Sequence, residues 1–335
     1  MKRSIARLIS YIMAVTAVIS LAGCAGNPNN YSLESTKAPG MLPTEETTVP
    51  YVRKDFKASE YPYFALLTET EKNAYSQIYE ELLEGNDKFE CRILISADEL
   101  SKAIDSVLND HPELFWLDNN YGYTYDPSDG SIKEISFTFF DFADTPEKLK
   151  KARSEFDSLT SAVAAEAMKY QSTVDRELYI HDYICINTVY DESGPYNQSA
   201  YSALILHTSV CAGYAKSFQY LMQKAGVPCY YVTGRTDGIA NRAIGGSGED
   251  GSHSWDMVLL DGEFYNVDCL WDDTASDTYG SMIYPFFNLT DDELLYHART
   301  NMAIRLPLCR ATKYKYSNHF GPTIEASSIS FADAG

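Results

Sequence analysis

Two stretches decide the fold: VCAGYAKSF at residues 210–218 and HSWDMVLLDGEFYNVDCLWDD at residues 253–273. The first begins an apolar face with helical spacing, which predicts a helix that ends near Gly226. With Ser209 as the predicted N-cap, Cys211 lies in the first helical turn. The unpaired N–H groups and the helix dipole at that position favour a thiolate. Taken alone, such a cysteine is more typical of a buried structural residue.

The second stretch predicts a β-hairpin. Asp261 and Gly262 are a two-residue turn signal between two apolar segments, which we expect to be strands over 254–260 and 263–271. In this register Trp255 faces Asp268.

His253 and Asp268 then lie on one face of the hairpin as diagonal neighbours, close enough for a hydrogen bond. A cysteine, a histidine and an acid are the parts of an activated thiol nucleophile, in which the histidine takes the thiol proton and the acid orients the imidazole. The spacing alone does not show that Cys211 meets His253.

Both stretches resemble the core of bacterial transglutaminase-like proteins. Three further segments share the resemblance: HDYICINTVYD at residues 181–191, GVPCYYVTG at residues 226–234 and YPFFNLTDDELLYH at residues 284–297. The likeness covers residues 174–299. It implies a papain-like α+β fold, with the helix that bears the nucleophilic cysteine packed on an antiparallel sheet. It also implies Cys211 as nucleophile, His253 as base and Asp268 as orienting acid. We expect no cofactor and no metal, because no two cysteines or histidines have the close spacing that is usual for tetrahedral ligation.

Several neighbouring residues admit two interpretations. Tyr201 is a candidate oxyanion donor or site-lining residue, and Trp255 either shelters the imidazole from water or simply fills the core. His181 is interpreted as a surface or a hydrogen-bonded structural residue of a helix, and not as a catalytic one. The glycine-rich segment 234–251, just before His253, is either a loop that borders the cleft or an ordinary solvated loop.

The N-terminus has the pattern of an export signal. Basic residues precede an apolar stretch over 8–21, which is short for a membrane span. The stretch ends in Leu21, Ala22, Gly23 and Cys24, which resembles the lipobox of bacterial lipoproteins. The resemblance implies a signal peptide over 1–23 and a lipid on Cys24, which would anchor the chain to the membrane outside the cytoplasm. The alternative is an uncleaved N-terminal anchor with an incidental cysteine.

Changes in amino-acid composition divide the rest of the chain into three segments. Residues 24–57 are rich in proline and polar residues, which predicts a flexible tether. Residues 58–160 mix helix and strand signals and predict a smaller α/β extension, and residues 161–335 form the predicted catalytic domain. In the extension we expect helices over 67–83 and 97–108 and strands over 114–116, 121–125 and 132–140.

Charge and residue types narrow the function. The net charge of −20 over 335 residues repels phosphate backbones, so nucleic acid is not an expected partner. The expected function is acyl transfer or hydrolysis on amide bonds of protein or peptide substrates at the cell envelope. The alternative is a surface binding module that keeps the fold without catalysis.

Overall fold

The computed structural model describes residues 53–236 and 251–329, together with the backbone of Val15–Ser20. Two capped helices begin the packed part of the chain, after a single turn of helix, α1, at Pro62–Ala65. Thr68 caps α2 (Glu69–Glu84) and Ser96 caps α3 (Ala97–Asp110), each through a reciprocal capping box with the glutamate three residues later. Both predicted helices are confirmed.

The predicted hairpin forms the two central strands of an antiparallel sheet with strand order β1-β3-β4-β2. Its strands are β1 (Val15–Ser20), β2 (Lys88–Glu90), β3 (Leu117–Tyr125) and β4 (Ile132–Phe139). The turn between β3 and β4 closes where the Asp126 N–H donates to the Ser131 carbonyl at 2.9 Å. The predicted strand at 114–116 is wrong. That apolar run lies in successive turns, in which the Leu114 N–H donates to the carbonyl of His111.

Helices and short strands connect this sheet to the second one. They are α4 (Pro146–Ala167), α5 (Thr173–Asn187), the parallel pair β5 (Val189–Tyr190) and β6 (Thr208–Ser209), a π-helical turn at Ser202–Leu206, and α6 (Cys211–Lys224). The face of α6 that the sequence predicted to be apolar is buried, and Gly226 follows the helix with a positive φ of 79°.

The second sheet has the order β10-β7-β8-β9 and carries the second decisive stretch. Its strands are β7 (Cys229–Thr236), β8 (Gly251–Leu260), β9 (Glu263–Val267) and β10 (His297–Arg299). Asp261 and Gly262 both have positive φ, as a tight hairpin turn requires, and the pairing of Asp256 with Val267 confirms the predicted register.

The second strand of this hairpin is shorter than predicted. It ends at Val267, and residues expected to continue it to 271 instead begin helix α7 (Cys269–Tyr279). The reason is a side-chain cap, because an Asp268 carboxylate oxygen accepts the Trp271 N–H at 3.0 Å and so starts a helix.

The N-terminal extension packs directly against the second sheet. The Tyr63 hydroxyl donates to the Tyr231 carbonyl of β7 at 2.7 Å, and the Gln219 amide of α6 donates to the Asn109 carbonyl at 2.8 Å. Both regions contribute to one continuous hydrophobic core. The extension is therefore in direct contact with both β7 and α6.

The predicted tether overlaps the packed part of the chain. Arg53 pairs with Glu69 at 2.6 Å, and the Phe56 ring packs edge-on against Tyr75 at 5.2 Å between ring centroids. Residues 53–57 are therefore part of the folded unit. Apart from the backbone of Val15–Ser20, the predicted signal peptide, the rest of the tether and Cys24 lie outside the described residues.

The chain closes with short elements: a 3-10 turn at Asn301–Arg305, helix α8 (Tyr316–His319) and a second 3-10 turn at Ala326–Ser328. Among the helices described, none has both the length and the apolar character needed to cross a membrane.

Candidate active site

Cys211 is the first residue of α6. Its N-cap is Val210 and not the predicted Ser209, whose hydroxyl instead donates to the Asn197 carbonyl at 2.6 Å. The cysteine is 2% exposed, at the end of the helix where backbone N–H groups lack intrahelical partners.

His253 and Asp268 meet as the hairpin register predicts. The His253 Nε2 and Asp268 Oδ2 atoms lie 2.6 Å apart, and both side chains are buried. The other carboxylate oxygen, Oδ1, accepts the Trp271 N–H, so the start of α7 fixes the orientation of the acid. Burial alone would raise the pKa of Asp268, but the hydrogen bonds and charges of His253 and His297 outweigh it and hold that pKa well below its usual range.

The orientation of the His253 ring determines which of its two nitrogens can act as a base. Because Nε2 of His253 faces the carboxylate, Nδ1 is the atom that can exchange a proton with a thiol. Helix α6, which begins at Cys211, packs against strand β8, which carries His253. The cysteine and the histidine therefore lie on neighbouring packed elements.

Two tryptophans surround the imidazole. The rings of Trp255 and Trp271 lie 6.0 and 5.6 Å from that of His253, measured between centroids. Trp255 is 1% exposed and its indole N–H donates to the Asn266 side chain at 3.2 Å. Its ring lies over Gly234, where an added β-carbon would come within 2.3 Å of it. Trp255 thus both fills the core and covers one side of the imidazole.

His297 is a site residue that the sequence did not single out. Its Nε2 lies 3.0 Å from the same Oδ2 of Asp268, its Nδ1 lies 2.9 Å from the Leu295 carbonyl oxygen, and its side chain is fully buried. It belongs to β10, which pairs with β7. The last of the quoted segments, residues 284–297, ends at this histidine, but no local pattern linked it to an acid 29 residues earlier. Burial lowers the pKa of His297, while the bond to Asp268 opposes that shift.

The convergence of His253, Asp268 and His297 raises the question of a metal. One ligand atom from each lies within 4.8 Å of the others. Ligand atoms that share a tetrahedral zinc ion at about 2.0–2.2 Å are about 3.3–3.6 Å apart. The observed separations of 2.6 and 3.0 Å are those of hydrogen bonds. We therefore assign the three side chains to a hydrogen-bonded network and not to a metal site.

Tyr201 lies in a different environment from the one its candidate role required. Its ring stacks on Phe142 with 4.2 Å between centroids, and its hydroxyl lies 3.3 Å from a carboxylate oxygen of Glu155 on α4. Both contacts are with residues of α4 or of the segment just before it. A role for Tyr201 as oxyanion donor remains a prediction without support from its contacts.

A buried polar network fixes the helices around the site. His181 of α5 is fully buried, with Nε2 3.0 Å from an oxygen of Asp272 on α7. Burial alone would lower the pKa of His181, but Cys185, Asp182 and Asp272 raise it well above its ordinary value. Burial also raises the pKa of Asp272, to about 6. Because both pKa values are raised, the proton between His181 and Asp272 stays bound to this pair at near-neutral pH.

Asp273, which follows Asp272 on α7, extends this network to α6, the helix that begins at Cys211. Asp273 accepts a hydrogen bond of 2.7 Å from the hydroxyl of Tyr214 on α6. Helices α5, α6 and α7 are thereby tied together, which confirms the structural interpretation of His181 and holds the helix of Cys211 against the helix that Asp268 caps.

Residues 161–269 match the family described as the Transglutaminase-like superfamily. The chain carries a transglutaminase-like domain. The matched residues include Cys211, His253 and Asp268, whereas His297 lies beyond them. The fold is accordingly the papain-like α+β fold that the sequence predicted.

Similarity to individual proteins is partial. Kyphoscoliosis peptidase of Homo sapiens is 27% identical over 173 residues, which cover 50% of this chain and 26% of that protein. The protein of the same description from Mus musculus is 26% identical over 183 residues, covering 52% of this chain and 27% of its own length. A solved structure described as a TGase is 17% identical, covers 42% of this chain and 41% of its own, and superposes with a TM-score of 0.30. The chain thus spans about a quarter of the length of these curated relatives.

Proposed function

We propose that this protein is a cell-surface cysteine enzyme that acts on amide bonds of proteins or peptides through a thioester intermediate. The observation that carries the proposal is the 2.6 Å contact between His253 and Asp268, in a domain whose Cys211 begins a helix packed against the strand of that histidine. This is the arrangement that activates a thiol: a helix N-terminus favours the thiolate, and an oriented imidazole takes its proton.

The reaction begins with the reduced thiol of Cys211. Its proton moves to Nδ1 of His253, and the sulfur forms a bond to the carbonyl carbon of the substrate amide. When the tetrahedral intermediate collapses, the C–N bond breaks, the leaving nitrogen takes the proton from the imidazolium, and a thioester remains. Asp268 stabilises the imidazolium during this exchange. Water or an acceptor amine then attacks the thioester and returns the thiol.

The competing proposal is a surface binding module that keeps the fold without catalysis. Binding alone requires neither a buried carboxylate aligned with an imidazole nor a cysteine at a helix start. The retention of all three residue types, with the acid and the histidine in contact, favours the enzyme.

The place of action follows from the N-terminus. The four residues Leu21, Ala22, Gly23 and Cys24 support lipidation of Cys24 after removal of residues 1–23. In this proposal the lipid anchors the folded unit to the membrane, outside the cytoplasm, where its substrates are proteins or peptides of the cell envelope.

The test is trapping of the thioester. Reduced protein would be incubated with a panel of glutamine peptides, amides and activated esters and analysed by intact-mass spectrometry. We expect an acyl adduct on the wild type and on Cys91→Ala, because Cys91 lies outside the site as a free thiol. We expect none on Cys211→Ala. Absence of any adduct from properly folded wild-type protein, with peptide binding unchanged in Cys211→Ala, would favour the binding module.

Addition of a labelled primary amine to the trapped species distinguishes the two reactions. Transfer of the acyl group to the amine identifies a transferase. Resolution by water at millimolar amine identifies a hydrolase.

A further inference from the structure

Both ring nitrogens of His297 face hydrogen-bond acceptors. The Leu295 carbonyl oxygen, 2.9 Å from Nδ1, can only accept, so Nδ1 carries a hydrogen. Nε2 lies 3.0 Å from Oδ2 of Asp268. A neutral imidazole with its hydrogen on Nδ1 would place a lone pair against a carboxylate oxygen, which is repulsive. The geometry therefore requires one more proton on this pair than a neutral imidazole and a carboxylate hold together.

The other contacts of Asp268 indicate where that proton lies. Its Oδ1 accepts the Trp271 N–H, and its Oδ2 also faces Nε2 of His253. Three donors directed at one carboxylate favour its ionised form, so the additional proton belongs to His297. Burial opposes a charge on this imidazole. The contact with an ionised acid opposes that lowering of the pKa, and buried charges persist when they are paired.

Within residues 53–236 and 251–329, two titratable side chains face the ring of His297. Asp268, at the start of α7, and His253, on β8, face its ring, and His253 lies 5.2 Å away between centroids. From the remaining elements packed against it, the ring meets the aromatic side chains of Trp255, Trp271 and Phe286. An apolar shell of this kind keeps water away and strengthens the pair.

We propose that His297 is a positioning residue, a buried imidazolium that holds the Asp268 carboxylate in place and sets the pH range over which His253 can act. This inference rests on the proposed function of Cys211, His253 and Asp268. The cation competes with His253 for the same carboxylate oxygen. Its presence therefore disfavours the imidazolium form of His253 and moves the alkaline limit of activity to lower pH.

Three variants distinguish the effect of the charge on His297 from its effect on the position of Asp268. In His297→Gln the side-chain amide retains a neutral donor for Asp268, and in His297→Phe the ring shape remains without a donor. Phe286→Leu is the matched control, because it disturbs the same aromatic pocket but leaves the His297 hydrogen bonds intact. The readout is the pH dependence of Cys211 acylation by a glutamine peptide in reduced protein, because protonation of the leaving nitrogen requires the imidazolium of His253. Thermal melting is measured for each variant.

We expect His297→Gln to keep the plateau rate within about threefold and to move the alkaline limb upward by about one pH unit. His297→Phe should lower the plateau rate about 10-fold or more, because Asp268 loses a bond that fixes it. Phe286→Leu should leave the limb in place. A His297→Gln profile that coincides with that of the wild type would overturn the inference.

A second measurement does not depend on catalysis. In protein labelled with nitrogen-15 histidine, the resonances that disappear in His297→Gln report its protonation in the wild type. Two protonated ring nitrogens at neutral pH support the inference, and a single one refutes it. If the imidazolium is present but Cys211 shows no enhanced reactivity in any variant, the proposed function fails while the protonation of His297 stands.

Discussion

The indole of Trp255 lies so close over Gly234 that a β-carbon at position 234 would come within 2.3 Å of the ring and 2.6 Å of the Ala298 carbonyl oxygen. Gly234 also pairs with His253 across β7 and β8. Because Gly234 has no side chain, the ring of Trp255 and strand β10 can both lie close to the sheet at this point, beside the imidazole of His253.

Gly234→Ala should accordingly displace the Trp255 ring or separate strand β10 from strand β7. We expect a loss of about 1–3 kcal/mol in the free energy of unfolding, together with slower alkylation of Cys211. Gly194→Ala is the matched control, because its nearest neighbour would be a side-chain oxygen at 3.2 Å. Chemical denaturation and iodoacetamide kinetics measure both effects. Equal stability of the two variants would contradict the close approach at Gly234.

Asp268→Asn should retain the fold and lose rate. The amide oxygen can still accept the Trp271 N–H, but the amide nitrogen would donate to Nε2 of His253 and hold the hydrogen of the ring on Nδ1. A base with its hydrogen on the wrong nitrogen cannot take the thiol proton. We expect acyl-enzyme formation to slow by about 10²–10⁴-fold. Stopped-flow acylation kinetics with melting curves test this, and an unchanged rate in a folded variant would remove Asp268 from the mechanism.

Glu177→Gln should change how stability depends on pH. Glu177 is fully buried, burial raises its pKa to about 8, and its Oε2 accepts the Asn288 side-chain N–H at 3.0 Å. Among the described residues its Oε1 has no partner. A carboxyl group with a raised folded-state pKa contributes stability below its unfolded value, and that contribution is lost as pH rises through about 8.

The stability of Glu177→Gln relative to the wild type should therefore rise between pH 5 and pH 9, by roughly 3 kcal/mol. Asp292→Asn, which removes an exposed acid, should follow the wild-type curve. Urea denaturation across this pH range gives the comparison. A Glu177→Gln curve parallel to that of the wild type would show that Glu177 is not protonated in the folded state.

Cys24→Ala should abolish lipid attachment. Metabolic labelling with a palmitate analogue should mark the wild-type protein and not the variant, and membrane fractionation should release the variant. Cleavage before Cys24 would also remove β1, leaving β3 as an edge of its sheet. Label retained in Cys24→Ala would refute the assignment.

Local chemistry made much of the fold predictable. The capping boxes at Thr68 and Ser96, the turn at Asp261 and Gly262 and the register up to Val267 each depend on residues close in sequence, so pattern alone identified them. Reliance on residues close in sequence also explains two errors, the strand predicted at 114–116 and the extension of the second hairpin strand to 271. A three-residue apolar run does not distinguish a strand from buried turns, and an aspartate that ends a strand can also begin a helix.

The sequence by itself thus determined the cysteine at a helix start, the hairpin and the pairing of His253 with Asp268. Only the tertiary structure decided that His297 shares that acid from 29 residues away and that His181 bonds Asp272 across 91 residues. The physical reason is that such contacts arise from the packing of β10 on β7 and of α5 on α7. That packing depends on how whole surfaces fit together and leaves no periodic signal near either residue.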